Sequence, residues 1–234
     1  MTDDVVRFDR IQRAEHLAVM LLFIVLALTG LPQKFFDHRW AQILMGWLGG
    51  VDVARWFHRA AGLAFGALVA AHIIRLVVML AMGRIRLTLV PNRQDFRDAI
   101  TTLRYYLGLS DGQARFDRFD YRQKFEYWGL VMGATIVVGT GLVLLYPIAF
   151  TRFLPGDLVP AAQVAHSNEG LLAFLVVIVW HIYNAHLNPD VFPFDKTIFT
   201  GRISRERMRH EHPLEYDRML SEEAKARKVR RIAS

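Results

Sequence analysis

Residues 56–82, WFHRAAGLAFGALVAAHIIRLVVMLAM, decide the fold of this chain. The stretch is long and apolar enough for a helix that crosses a bilayer, which needs about 20 mainly apolar residues. Three further stretches share this character, so the sequence predicts an all-α, integral membrane four-helix bundle. The predicted spans are residues 13–31, 55–82, 126–147 and 163–187, within a membrane domain of residues 1–220 that precedes a basic tail of residues 221–234.

The first apolar stretch has a basic start and an apolar middle, as a cleaved signal peptide does. However, acidic residues interrupt that start, Asp9 and Glu15 among them, and no small-x-small cleavage site precedes Leu31-Pro32. We therefore interpret the stretch as a retained membrane span.

Basic residues are concentrated in three of the five segments outside the spans. Three lie in residues 1–13, nine in the loop of residues 83–125 and eleven after residue 187, against four in the two other loops. By the positive-inside rule, both termini and the long middle loop are predicted to be cytoplasmic. The same distribution argues against a nucleic-acid-binding protein, whose basic residues interleave with a polar surface.

Two shorter helices are predicted outside the spans. The segment His38–Leu48 is apolar and contains tryptophan, which favours a helix in the outer membrane interface. In the middle loop, Asp95–Leu107 carries apolar residues at 3–4 spacing, typical of an amphipathic helix. In the charged tail, His210 and His212 are predicted to be exposed to solvent.

The chain contains no cysteine, which limits the redox centres that it can hold. Iron–sulfur clusters and cysteine zinc sites need thiolate ligands, and a c-type haem needs a C-x-x-C-H attachment. Any redox centre must therefore be held by histidine, methionine or a carboxylate, and nine histidines are present.

Five histidines lie inside the predicted spans or at their ends, where ionisable residues are costly and usually functional. They are His16, His58, His72, His166 and His181. Because neighbouring spans run in opposite directions, His58 and His166 share an outer level, and the other three share a cytoplasmic level. Fourteen or fifteen residues separate the two levels, about 21 Å along a helix.

Two facing histidines at one depth match the axial ligands of a haem iron, and bundle interiors commonly hold such sites. Small residues along the second span, such as Ala60, Gly62, Ala64 and Gly66, leave room for a flat macrocycle, although close helix packing favours the same residues. Zinc is disfavoured because it needs four clustered ligands. The alternative is a haem-free transporter or scaffold with a histidine proton relay.

Several short motifs occur in a particular order along the chain. They are Arg13-Ala14-Glu15-His16 with Leu28-Thr29-Gly30-Leu31, His58 with Arg75 seventeen residues later, Phe119-Asp120-Tyr121-Arg122-Gln123-Lys124, His166 with His181-Ile182-Tyr183, and Gly201-Arg202-Ile203-Ser204 with His210-Glu211-His212-Pro213. In this order they resemble the cytochrome b (gamma) subunit of membrane-bound formate dehydrogenases and related respiratory di-haem cytochrome b subunits.

The resemblance implies two haem b groups: an outer one held by His58 and His166, and an inner one held by His16 and His181. It also implies an exchangeable quinone near the cytoplasmic side. Asp120 stands where the family has an asparagine beside that quinone, and Gln123 flanks it.

His72 and Arg75 leave several roles open. The family usually has an apolar residue at the position of His72. That histidine could hydrogen-bond near a haem edge, replace His16 as a ligand, join a third haem or carry protons. Arg75 could contact a haem propionate or a quinone headgroup, or simply extend its charge to the interface.

The resemblance implies an electron-transfer subunit of a quinone-linked oxidoreductase complex in the bacterial inner membrane. No nucleotide-binding loop, cysteine cluster or hydrolytic constellation occurs in the sequence, so a periplasmic-side partner is expected to carry the substrate chemistry. A molybdenum/iron–sulfur pair, a hydrogenase or a multihaem cytochrome c would each fit.

Overall fold

Four long helices dominate the computed structural model, which describes residues 4–85, 87–189 and 191–232. In chain order the elements are β1 (Asp4–Val6), α1 (Arg10–Lys34), α2 (Arg39–Trp47), α3 (Val51–Ala81), α4 (Arg93–Tyr106), α5 (Tyr121–Leu145), α6 (Pro147–Thr151), α7 (Leu158–Leu175), the π-helical turns π1 (Val176–His181) and π2 (Tyr183–Leu187), α8 (Thr197–Thr200), β2 (Arg202–Ser204), α9 (Arg205–Glu211) and α10 (Pro213–Ile232).

Four of these helical segments are long and apolar enough to cross a membrane. They are Arg10–Lys34, Val51–Ala81, Tyr121–Leu145 and Leu158–Leu187, where the last combines α7, π1 and π2. The predicted all-α class is therefore confirmed, and so is the presence of four helices able to cross a membrane. Each helix begins several residues before its predicted span, because hydropathy marks the apolar part and not where the hydrogen-bonded backbone starts.

Helix α3 illustrates this difference in length. Its 31 residues extend about 46 Å, well beyond a hydrocarbon core of about 30 Å. The helix ends where Gly83 adopts a φ of +63°, and Gly83 and Arg84 donate to the carbonyls of Leu80 and Met79. This is a Schellman cap, in which glycine takes the left-handed conformation.

Few side chains of the spans are buried within the chain. In α3 the buried apolar residues are Ala54, Ala61 and Phe65, and hardly any residues of the other spanning stretches are buried. Large apolar side chains such as Ile74 and Val77 point outward instead, at 63% and 60% exposure. A surface this apolar fits lipid as its surroundings.

Between the first and third helices, α2 matches the predicted interfacial helix. It packs against α1 and α3 and buries Ala41 and Met45. On its other side Trp40 and Trp47 are exposed, as expected for tryptophan at a membrane interface.

The chain divides into two compact units. The membrane unit comprises residues 10–84 and 129–195 and contains the predicted haem ligands. The terminal unit combines the described residues among 1–9, 85–128 and 196–234. The domain boundary predicted at residue 220 stays a prediction; that position falls within α10.

The terminal unit contains a two-stranded ribbon that the sequence did not predict. Strand β1 pairs antiparallel with β2, placing Asp4 opposite Ser204 and Val6 opposite Arg202. The strands are only three residues long and about two hundred residues apart in sequence, so no alternating pattern predicts them.

Beside the ribbon, Arg7 is buried and binds several partners. Its guanidinium donates to the Glu215 carboxylate and to the carbonyl oxygen of Arg118. It also lies 3.0 Å from Nε2 of His212, whose Nδ1 lies 2.8 Å from the carbonyl oxygen of Asp117. His212 is only 5% exposed, so the prediction that it faces solvent was wrong.

Candidate haem ligands

His58 on α3 and His166 on α7 face each other in the membrane unit. Their ring centroids are 6.1 Å apart. A histidine nitrogen binds a metal ion at about 2 Å and the ring centroid lies about 1 Å behind that nitrogen, so two imidazoles on opposite sides of one ion have centroids about 6 Å apart. The observed separation fits the spacing of two axial ligands.

The hydrogen bonds of this outer pair fix which nitrogen of each ring holds the proton. Nδ1 of His166 lies 2.9 Å from the carbonyl oxygen of Val137, which can only accept. Nδ1 of His58 lies 3.0 Å from Oγ1 of Thr29, and that hydroxyl donates to the carbonyl of Val25 at 2.6 Å. Both Nδ1 atoms therefore donate, and both Nε2 atoms keep the lone pair that a metal needs.

Glycine allows the neighbouring helices to approach both rings. A Cβ atom at Gly30 would lie 2.9 Å from Cε1 of His58, and one at Gly141 would lie 3.2 Å from Cε1 of His166. Both distances are shorter than ordinary carbon contacts. A side chain at Gly30 would therefore displace the ring from its hydrogen bond, and one at Gly141 would crowd its ring.

The inner pair consists of His16 on α1 and His181 at the end of π1. Their ring centroids are 6.2 Å apart and the ring planes are inclined by 35°. This separation again fits two axial ligands on one metal ion. The structure thus brings together the same two pairs that the family resemblance implied, although ligation itself stays a prediction.

The turn π1 changes the direction of His181 around the helix axis relative to His166. Fifteen residues separate His166 from His181, which would place them about 60° apart around a continuous α-helix. A π turn contains one residue more than the α-helical path that it replaces. The fifteen residues therefore span the rotation of fourteen, and His181 returns closer to the face that carries His166.

His72 and Arg75 contact a carboxylate. Nε and Nη2 of Arg75 donate to the two carboxylate oxygens of Glu15 at 2.8 and 2.7 Å, and Nδ1 of His72 lies 3.0 Å from one of them. Three ionisable side chains thereby satisfy one another inside an apolar helix pair, where each alone would be costly. The contact places His72 beside the neighbour of His16; whether it also binds a metal stays a prediction.

Comparison with known proteins identifies the family of this chain. A protein-family model described as prokaryotic cytochrome b561 matches residues 7–192. This chain belongs to the prokaryotic cytochrome b561 family. The match covers most of the chain, including all four histidines of the two pairs, and it confirms the resemblance that the motifs indicated.

Among curated proteins, the chain is similar to the cytochrome b556(Fdn) subunit of the nitrate-inducible formate dehydrogenase of Escherichia coli strain K12. The two are 23% identical over 221 residues, which is 94% of each chain. The corresponding subunit of Shigella flexneri matches to the same extent. This cytochrome b561 family member is therefore a membrane haem b protein of electron transfer and a multi-pass protein of the bacterial inner membrane.

Asp120 and Gln123 of this cytochrome belong to the terminal unit and form a helix cap. Oδ1 of Asp120 accepts from the backbone N–H of Gln123 at 2.8 Å, and Oε1 of Gln123 accepts from the N–H of Asp120 at 3.1 Å. This reciprocal pair is a capping box at the start of α5. Arg122 donates to the other Asp120 oxygen. Their contact with a quinone stays a prediction.

Thr29 and Gly30 were noted only as part of a motif, and the contact of a Thr-Gly pair with each ring of the outer pair was missed in the sequence. Thr140 lies 3.2 Å from Nδ1 of His166, as Thr29 lies beside His58, and each threonine precedes the glycine that contacts the ring. The signal was present, because Thr-Gly-Leu occurs at residues 29–31 and again at residues 140–142. A three-residue repeat is too short to be noticed without the histidines that it contacts.

Proposed function

We propose that this chain is a di-haem subunit that carries electrons across the membrane between a periplasmic-side redox partner and the quinone pool. The observation that supports it best is the presence of two histidine pairs, each with a ring separation of about 6 Å. The pairs lie at two levels, because His166 and His181 are on one spanning segment, about 21 Å apart.

The residues present fit haem at both levels. Bound haem iron supplies one-electron chemistry that no side chain of this cysteine-free chain supplies. At the outer level the protein holds both imidazoles through Nδ1 and keeps the Nε2 atoms available. At the inner level the proposed ligands are His16 and His181, with π1 setting the direction of the second ring.

The distribution of charge supports one orientation of the subunit in the membrane. The basic residues in residues 1–13, in residues 83–125 and after residue 187 support a cytoplasmic location for both termini. His58 and His166 then lie toward the periplasm, and His16 and His181 toward the cytoplasm. Family membership favours this electron-transfer role over a haem-free transporter or scaffold.

The partner is proposed from the relatives, which are subunits of a formate dehydrogenase. We expect the partner to oxidise or reduce a substrate on the periplasmic side and to exchange electrons with the outer haem. Quinone exchange is expected on the cytoplasmic side, with Arg75, Asp120 and Gln123 as candidate contacts.

The haem-to-chain ratio tests this proposal directly. We expect two non-covalent haem b groups per chain in the intact purified protein, all extractable by acid acetone because no cysteine can form a thioether. The double variant His58→Ala with His16→Ala should contain none, while His38→Ala serves as a matched control outside the spans. A ratio below two in the intact protein would overturn the di-haem assignment.

A further inference from the structure

Helix α4, in the long loop between the second and third spans, exposes a row of large apolar side chains. Phe96, Ile100 and Leu103 are 74%, 59% and 57% exposed. Their 3–4 spacing places them within about 60° of one another around the helix axis. Three large apolar residues on one exposed face are unusual for a helix that faces water alone.

A row of arginines borders these apolar residues. Arg93, Arg97 and Arg104 are all exposed and lie within about 60° of Ile100, on the side away from Phe96 and Leu103. Apolar and cationic side chains therefore share one surface of α4. This combination suits a lipid bilayer, whose interior is apolar and whose headgroup layer can be anionic.

The opposite side of α4 is attached to the rest of the terminal unit. Lys124 donates to both carboxylate oxygens of Asp95, at 2.7 and 3.0 Å, and Thr102 is buried. The helix start is fixed by a capping box between Asn92 and Asp95. These contacts hold α4 in one rotation about its axis, with the apolar and arginine rows outward.

Both neighbours of α4 in the chain are membrane spans. Residues 82–92 connect it to the end of α3, and residues 107–120 connect it to the start of α5. Indole Nε1 of Trp128, near the start of α5, donates to the carbonyl of Leu89 at 2.9 Å and ties the first connector to that helix. The exposed face therefore belongs to a segment that is joined at each end to a membrane span.

We infer that α4 lies in the surface of the membrane leaflet, with Phe96, Ile100 and Leu103 inserted among the acyl chains and the arginines on anionic headgroups. The occupant is lipid because the exposed face joins an apolar row to a cationic row. Each arginine near an anionic leaflet adds electrostatic attraction to it. This goes beyond electron transfer, since it assigns the loop a lipid-binding role.

The chain contains no cysteine, so a single introduced cysteine can be labelled selectively to test this inference. Single variants Phe96→Cys, Ile100→Cys and Leu103→Cys are spin-labelled in the full-length, haem-loaded protein, and Gln94→Cys provides an exposed control on another face of the same helix. Each is reconstituted into phosphatidylcholine vesicles with or without phosphatidylglycerol. Collisions with oxygen, which concentrates in lipid, are compared with collisions with a nickel chelate, which stays in water.

We expect the oxygen-to-nickel ratio at residues 96, 100 and 103 to exceed that at residue 94 several-fold. Phosphatidylglycerol should raise it further, and Arg93→Gln with Arg97→Gln should abolish that additional rise. Nickel access equal to that at residue 94 would overturn the inference, because the face would then be in water. Shielding from both reagents would also overturn it, since protein would then cover the helix.

Haem content is measured on the same samples. The α4 variants should retain the haem-to-chain ratio of the parent protein, because the substituted residues belong to the terminal unit and the histidine pairs to the membrane unit. A low ratio in the parent would contradict the di-haem proposal without affecting the accessibility result, so the two ideas fail independently.

Discussion

Thr29 accepts a hydrogen bond from His58. Its Oγ1 atom lies 3.0 Å from Nδ1 of the imidazole and gives its own proton to the carbonyl oxygen of Val25, 2.6 Å away. Hydrogen bonds of this kind orient a metal-ligating histidine and increase its basicity. With His58 as the proposed haem ligand, Thr29 would tune the potential of the outer haem without contacting its iron.

Replacing Thr29 by valine keeps the volume and removes the hydrogen-bond acceptor. One hydrogen bond is worth about 1 kcal/mol, which corresponds to about 40 mV for a one-electron couple. We expect the outer haem potential to rise by this order, since a less basic ligand stabilises the oxidised iron less. Redox titration monitored by absorbance measures it, and Thr29→Ser is the control. An unchanged outer potential in the valine variant would contradict the role of Thr29.

The role of His72 is decided by haem content. Because His16 already lies opposite His181, with ring centroids 6.2 Å apart, we expect His72→Ala to retain both haems. The variants His16→Ala and His181→Ala should each lose the inner haem and keep the outer one. Pyridine haemochrome assays of the three variants measure this. Loss of a haem in His72→Ala together with retention in His16→Ala would make His72 the ligand.

Deleting Val177, within π1, should convert the π turn to a regular α-helix. His181 would then be fourteen residues from His166 and keep nearly the same direction, so the inner haem should be retained. Deleting Leu22 in α1 is the matched control, since it would turn His16 by about 100° relative to Thr29. Haem content and the inner potential measure the outcome. Equal loss of the inner haem in both deletion variants would show that π1 does not compensate for a deleted residue.

Stability of the terminal unit should depend on His212. Burial, reinforced by the nearby Arg7 cation, lowers the pKa of His212 from 6.5 to about 4. The unfolded chain therefore binds more protons between these values, so stability is full above pH 6.5 and falls as the pH drops toward 4. The loss is about 3 kcal/mol once both states are protonated.

A fluorophore on the single variant Gln113→Cys can follow unfolding of this unit. We expect its thermal midpoint to decrease between pH 7 and pH 5, and His212→Gln to weaken that dependence. The same slope in both proteins would place the pH dependence on other groups.

The predicted membrane topology can be measured with reporter fusions. Reporter fusions after Ser110 and at the C-terminus should both report a cytoplasmic location, and a fusion after Gly49 should report the periplasm. A periplasmic signal after Ser110 would exchange the two haem levels and place the quinone on the other side.

The sequence predicted the spans well and their hydrogen bonds poorly. Hydropathy locates a helix such as α3, and helix geometry brings His58 and His166 to one depth. Neither predicts that Glu15 contacts His72, because that contact depends on how α1 is rotated against α3. His212 was misjudged because charged neighbours in sequence suggest solvent, whereas the strand pairing and Arg7 that bury it are about two hundred residues away.

Each histidine pair joins the first half of the membrane unit to the second. His16 and His58 precede residue 84, and their counterparts His166 and His181 follow residue 129. Each bound iron atom would therefore link one helical hairpin to the other, and the free energy of haem binding would add to the free energy of folding. Haem supply would then control the lifetime of the polypeptide, since a chain made during haem starvation would expose two unlinked hairpins to membrane proteases.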